Sequence, residues 1–342
     1  MIIANISISK NEDHSIYAEK YGGGSVFCKY ARLLKNEGSN TFLDFAPQEC
    51  FNNVKINENS DKCFIITDSQ IERIKKGEPL KDILVGIKNV DIFIFNKDEF
   101  FILNLVGLKA TQVLWMAFVN QSCHPNIPHL FIYSEDQKPL YNPEKTQGYL
   151  VKIGKPCQKN FHPSAKEDFV FQCTRNDETM DSIYLAKLCK RFKIKGVFGG
   201  PIFNNYPLLG YIDNKYTFYV GVLNEQEKLN YSKRARLYNC IQNWDTIFSL
   251  SAIEALGQGT PIIARNRGCF KYLLKDKING FYYDDKEESF FDIWEQSVDI
   301  NQYNCYNSAL EYSEVEMVES FYRNFEYILN KNNENSSFSD VQ

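Results

Sequence analysis

The stretch Trp244-Asp245-Thr246-Ile247-Phe248-Ser249-Leu250-Ser251-Ala252-Ile253-Glu254-Ala255-Leu256-Gly257-Gln258-Gly259-Thr260-Pro261-Ile262-Ile263-Ala264 reads as a loop, a short helix, a glycine break and a buried strand. Ser251 followed three residues later by Glu254 fits a capping box that starts the helix near Ala252, and Gly257 or Gly259 ends it. The run from Pro261 to Ala264 is short, apolar and uninterrupted, as expected of a parallel strand covered on both faces. A helix N-terminus presents backbone donors and partial positive charge, which suits a phosphate. Beside it, Glu254 has the chemistry to accept hydrogen bonds from a vicinal diol such as a ribose. The same glutamate closing a capping box is the purely structural alternative.

Outward from this stretch, the polar turn Arg265-Asn266-Arg267-Gly268-Cys269-Phe270 follows the strand directly, where ligands sit in open α/β sheets. Asn279-Gly280 then makes a tight turn before Phe281-Tyr282-Tyr283. Strand patterns also occur at residues 1–8, 41–45, 63–66, 91–95, 112–116, 130–133, 149–153, 168–173, 196–200, 218–221 and 237–241. Between them lie helical spacings such as Val26, Tyr30, Leu33 and Leu34. This alternation predicts parallel, doubly wound sheets.

Pro163 and Ser164 mark a hinge within residues 158–166. The predicted organisation is a Rossmann-like domain over residues 1–160 and a second over 165–312. A helix over 313–330 carries Val315, Met317, Val318, Phe321, Tyr322 and Phe325, and a polar, disordered tail covers 331–342.

With 342 residues, 44% of them hydrophobic, the chain is large enough for two cores. Its 39 basic and 43 acidic residues leave a net charge of −4, which implies no strong global attraction to nucleic acid or membrane. Ten irregularly spaced cysteines without a CxxC pair, and no secretory leader, predict a cytoplasmic protein with no zinc or other metal site. No segment reaches the roughly 18 to 20 apolar residues that span a bilayer. Residues 100–119 come nearest, interrupted by Asn104, Lys109 and Gln112; a core passage is the main reading and a peripheral membrane contact the second.

The run Gly221-Val222-Leu223-Asn224-Glu225-Gln226-Glu227-Lys228, followed in order by Glu254-Ala255, residues 259–264, Arg267-Gly268 and Asn279-Gly280-Phe281, resembles the nucleotide-sugar half of retaining glycosyltransferase family 4. The resemblance implies the GT-B fold: two Rossmann-like domains facing a central cleft, the second binding the donor and a carboxy-terminal helix crossing back to the first. It also implies a metal-independent transferase with no bound cofactor, using a nucleoside-diphosphate sugar as donor. By the same resemblance, Arg175 neutralises the donor diphosphate and Glu254 holds the ribose. Gly23 and Gly24 of the first glycine loop, Gly199, and Asp245, Thr246, Phe248, Ser249 and Leu250 also line the donor site.

The sequence departs from the family at three positions. Met180 stands where a lysine normally follows the diphosphate arginine, and whether Lys187 on the next helix substitutes for it is left open. Thr246 replaces the first of two glutamates, the one that touches the transferred sugar, and this implies either a donor other than the common hexoses, such as a pentose or deoxy sugar, or that the adjacent Asp245 takes over the contact after a small loop shift. Ala117 replaces a histidine, leaving His124 as the acceptor-side candidate, with His14 weaker still. No carboxylate pair has the spacing for glycosidase-type double displacement, so the implied route is front-side attack as the diphosphate leaves. The expected acceptor is a cell-surface glycan or lipid-linked precursor. Basic runs at 187–195 and 233–236 leave open a hydroxylated base in DNA, and the departures leave open a binding module without turnover.

Overall fold

A computed structural model describes residues 2–6, 41–47, 62–84, 90–96, 111–115, 129–132, 137, 144, 147–152 and 160–339. Contacts divide the chain into two units, Met1–Ile153 with Glu314–Gln342, and Gly154–Ser313.

Among the described residues, the first unit holds seven parallel strands: β1 (Ile2–Ile6), β2 (Thr41–Pro47), β3 (Lys62–Ile66), β4 (Ile92–Asn96), β5 (Thr111–Trp115), β6 (His129–Ile132) and β7 (Gln147–Leu150). Their order is β3-β2-β1-β4-β5-β6-β7, so the chain starts in the middle of the sheet and winds outward in both directions. Helix α1 (Asp68–Lys75) begins at a capping box in which Thr67 and Gln70 satisfy each other's backbone amides. It is followed by the single turn α2 (Leu80–Ile83).

The second unit holds β8 (Glu167–Cys173), β9 (Lys195–Gly199), β10 (Thr217–Tyr219), β11 (Ala235–Asn239), β12 (Ile262–Ala264) and β13 (Gly280–Tyr282), all parallel, in the order β10-β9-β8-β11-β12-β13. Its helices are α3 (Ser182–Phe192), α4 (Glu225–Arg234), α5 (Leu250–Gly257), α6 (Phe270–Leu273), α7 (Glu287–Gln296) and α8 (Gln302–Leu310). Alternation along β8 explains the layering. Phe169, Phe171 and Cys173 join a core with α5, α6 and α8, whereas Val170 faces a second core with α3 and α7. Full burial of a side chain such as Phe171, Phe198 or Phe270 contributes about 2 kcal/mol, so both faces are energetically committed. The order reverses between β8 and β11, a switch point of the kind at whose carboxyl edge open α/β sheets bind ligands.

The last helix, α9 (Glu314–Ser339), belongs with the first unit. Phe321 and Phe325 pack on Phe131 at ring distances of 5.0 and 5.3 Å, and Ser320 Oγ accepts the Lys152 amide at 3.0 Å. Asn324 Nδ2 reaches the Leu150 carbonyl at 3.0 Å. The helix runs on through 331–339, where the sequence predicts disorder. Once a helix is anchored, adding polar turns costs far less than nucleating one, which accounts for the extension.

Candidate functional site

The second unit's candidate site is built from the loops after β8, β9 and β11. At the end of β8, the Cys173 carbonyl accepts from the Tyr238 hydroxyl of β11 at 2.9 Å, which ties the strands together across the switch point. Burial pushes the Tyr238 hydroxyl up from its ordinary range, so it remains a donor. Asn176 is fully buried, and its Nδ2 donates to the carbonyls of Thr174, Gly199 and Gly200 at 3.2, 3.0 and 3.2 Å. Gly200, at φ +99°, lies so close that a Cβ would stand 2.0 Å from the Thr174 oxygen. Two backbone loops therefore meet with no side chain between them. Gly199 closes β9 at this point, against Cys173 and Leu223.

Arg175 projects from the loop after β8 and is half-exposed. It forms an ion pair with Asp177, and its guanidinium also reaches Thr179 Oγ1 at 3.4 Å. Met180 occupies the turn that follows, where its carbonyl accepts from Gln172 Nε2 at 3.2 Å. Lys187 does not enter this loop: its Nζ lies 5.5 Å above the Tyr211 ring.

The helix of the quoted stretch starts two residues earlier than its sequence predicts. Ser249, not Ser251, is the N-cap, accepting from the Ala252 amide at 3.4 Å, and α5 begins at Leu250. The expected Ser251–Glu254 capping box is therefore absent, because Ser251 already lies inside the helix. A capping box does form at the start of α4, between Asn224 and Glu227. Glu254 is instead turned inward, its side chain 5% exposed, with Oε2 2.7 Å from Lys228 Nζ on α4.

In the loop after β11, Thr246 is buried, and its hydroxyl donates to the Phe248 carbonyl at 3.0 Å. Phe248 packs against the core and Tyr312. Asp245 pairs with Arg267 at 2.7 Å. Arg265 binds the Gln242 carbonyl, Asp181 and Asp285 at 2.8, 3.0 and 2.7 Å. Together with the Asn243 amide on the Thr179 carbonyl at 2.8 Å, it joins the loops that carry Arg175 and Thr246.

The structure thus brings Arg175, Gly199, Asp245, Thr246, Phe248, Ser249, Leu250 and Glu254 to the carboxyl edge of one sheet. Gly23, Gly24 and His124 lie outside the described residues, as do Ala117 and His14. Sequence reasoning placed Arg265 in a ligand-facing turn but did not single out Lys228 or Asn176. Lys228 stands within the motif run 221–228, but nothing in its spacing says that it faces Glu254. Several residues of the basic runs are engaged within the unit: Lys190 with Asp213, Arg191 with Glu287 and Glu288, Arg234 with Glu167, and Arg236 with Asp168. Among the described residues, no helix is long and apolar enough to cross a membrane.

Solved structures with this architecture include HepE of Anabaena in complex with UDP, with a TM-score of 0.71 and 11% identity over 96% of this chain and 100% of that one. They also include a glycosyltransferase from Rickettsia africae (0.71, 14%, 96% and 98%) and sucrose-phosphate synthase from Thermosynechococcus elongatus (0.72, 11%, 96% and 99%). The fold is GT-B. No protein-family model and no curated protein matches the sequence. Within this fold, the strand order of the second unit reverses between β8 and β11.

Proposed function

We propose that the protein is a glycosyltransferase that moves a sugar from a nucleoside-diphosphate donor to a hydroxyl acceptor, with retention at the anomeric carbon, in the manner of family 4. The observation that carries this reading is Glu254: a buried carboxylate in α5, paired with Lys228 of α4 rather than used as a cap. In this reading it accepts two hydroxyls of a ribose. Arg175 leaves Asp177 to take the donor diphosphate through its planar fork, and the amide end of α5 adds favourable field. The fold-sharing protein HepE has been solved with UDP and with UDP-glucose, which supports a nucleoside-diphosphate sugar as donor.

No carboxylate in the proposed site is assigned as a nucleophile. The acceptor hydroxyl approaches the anomeric carbon on the face from which the diphosphate departs, and the leaving phosphate oxygen takes its proton. Arg175 and backbone amides stabilise the charge that develops on the diphosphate, without a metal ion. Thr246 replaces a carboxylate near the sugar, so a pentose or deoxy sugar is the proposed cargo, and a glycan or lipid-linked precursor the proposed acceptor.

Mass spectrometry of candidate acceptors incubated with a donor panel that includes pentoses tests the activity. Arg175→Ala is expected to lower kcat about a hundredfold, and Glu254→Ala to raise donor KM at least tenfold. Wild-type kinetics in both variants would remove these two assignments. Absence of nucleoside-diphosphate binding together with absence of turnover would overturn the enzyme reading.

A further inference from the structure

Glu254 does not stand in the candidate site as a bare carboxylate. Lys228 holds it at 2.7 Å, with the lysine side chain 23% and the glutamate side chain 5% exposed. The lysine's position is fixed by the start of α4, where Asn224 caps the helix and its carbonyl accepts the Lys228 amide at 3.0 Å. The pair lies by the carboxyl end of β8. Burial pushes the Cys173 thiol there up to about 11, and Lys228 and Glu254 act on it in opposite directions. Ligands of doubly wound sheets bind at this edge.

The loop after β8 is short of positive charge for a diphosphate. Arg175 is its one cation, position 180 is Met180, and Lys187 is engaged with Tyr211. A ribose carries its diol on C2′ and C3′ and its first phosphate on the O5′ oxygen, separated from the diol by C4′ and C5′, so a four-carbon lysine arm paired with the diol-binding carboxylate has the length to turn toward that phosphate. Ammonium suits such an exchange because it is a compact charge on a flexible stem.

We propose that Lys228 is a donor-binding residue, which neutralises Glu254 before the donor arrives and passes to the donor's phosphates when the ribose hydroxyls take the Glu254 oxygens. The proposal rests on the nucleotide-sugar reading above. It assigns to α4 the second cation that the loop after β8 lacks, and it makes the exchange of partners part of donor recognition: a nucleoside alone displaces Lys228 from Glu254 without giving it a phosphate.

Calorimetric titration with uridine, cytidine, thymidine, adenosine and guanosine, each as nucleoside and as 5′-diphosphate, tests this in the full chain. The readout is the ratio of diphosphate to nucleoside affinity. Lys228→Met is expected to lower that ratio about tenfold, the worth of one charge-assisted hydrogen bond. Lys228→Arg is expected to restore most of it. Because Lys228→Met leaves a buried carboxylate without its ammonium, the same comparison is made in a Glu254→Gln background, where no net charge is stranded. A merely structural lysine would weaken nucleoside and diphosphate equally; an unchanged ratio in both backgrounds overturns the proposal and leaves the donor site standing. If the wild-type protein binds none of the five diphosphates, the nucleotide-sugar reading itself fails, and this one with it.

Discussion

Gly268 governs the loop that carries Thr246, and it does so by lacking a side chain. Its φ is +53°, and a Cβ there would stand 2.5 Å from the Thr246 oxygen and 2.8 Å from the Thr246 nitrogen. Both are backbone atoms, so no rotamer change relieves the contact. Next to it, the Cys269 amide donates to the same Thr246 oxygen at 2.7 Å. Gly268→Ala is expected to cost about 2 kcal/mol, from the left-handed backbone and from displacement of the loop. Urea unfolding measures the stability loss, and a raised donor KM would report the displaced loop; an alanine variant of unchanged stability would show that the loop yields freely. The Arg267-Gly268 pair was visible in the sequence as a motif. Its contact with Thr246 was not, because that contact joins two loops on either side of α5 and β12.

Among the elements, α4 and α5 are secured by a partly buried lysine. Lys166 Nζ donates to the Lys233 carbonyl at 2.8 Å, to the Gln258 carbonyl at 3.4 Å and to Thr260 Oγ1 at 2.6 Å, satisfying acceptors at the ends of both helices. Burial lowers its pKa from 10.5 to about 8. Between those values the unfolded chain binds a proton that the folded protein does not, so this lysine's contribution to stability rises with pH from about 8 to 10.5 and is flat below. Relative to a Lys166→Met variant, the wild type should gain about 3 kcal/mol across that window, read from denaturant unfolding at a series of pH values. No gain would mean that the amine stays solvated. The strands were legible at this scale because parallel strands buried on both faces are written as apolar runs, as in Phe169-Val170-Phe171 and Ile262-Ile263-Ala264. The start of α5 was not legible. Ser249 and Ser251 are equally able caps by residue type, and the choice fell to the backbone path imposed by Thr246, Phe248 and the core beneath them.

For the molecule as a whole, a ligand that binds only the folded protein stabilises it by mass action. A nucleoside diphosphate at a hundred times its Kd should add about 2.7 kcal/mol to unfolding, followed by tryptophan fluorescence, and Glu254→Ala should abolish the gain at the same concentration. An equal gain in that variant would place the nucleotide elsewhere. By itself, the sequence determined the strands found among the described residues of each unit, their parallel winding, and a carboxylate in the helix that opens at the switch point. Those properties are local: hydrophobic period, glycine breaks and the alternation of strand with helix are set by neighbours along the chain. Tertiary structure alone decided the partners of the charged groups: Glu254 with Lys228, Asp245 with Arg267, Arg175 with Asp177, and Lys187 with Tyr211. A charge takes its partner according to which side chains the packed sheet brings within a few ångströms, and for three of these four pairs the partners come from different elements or loops that only the fold brings together.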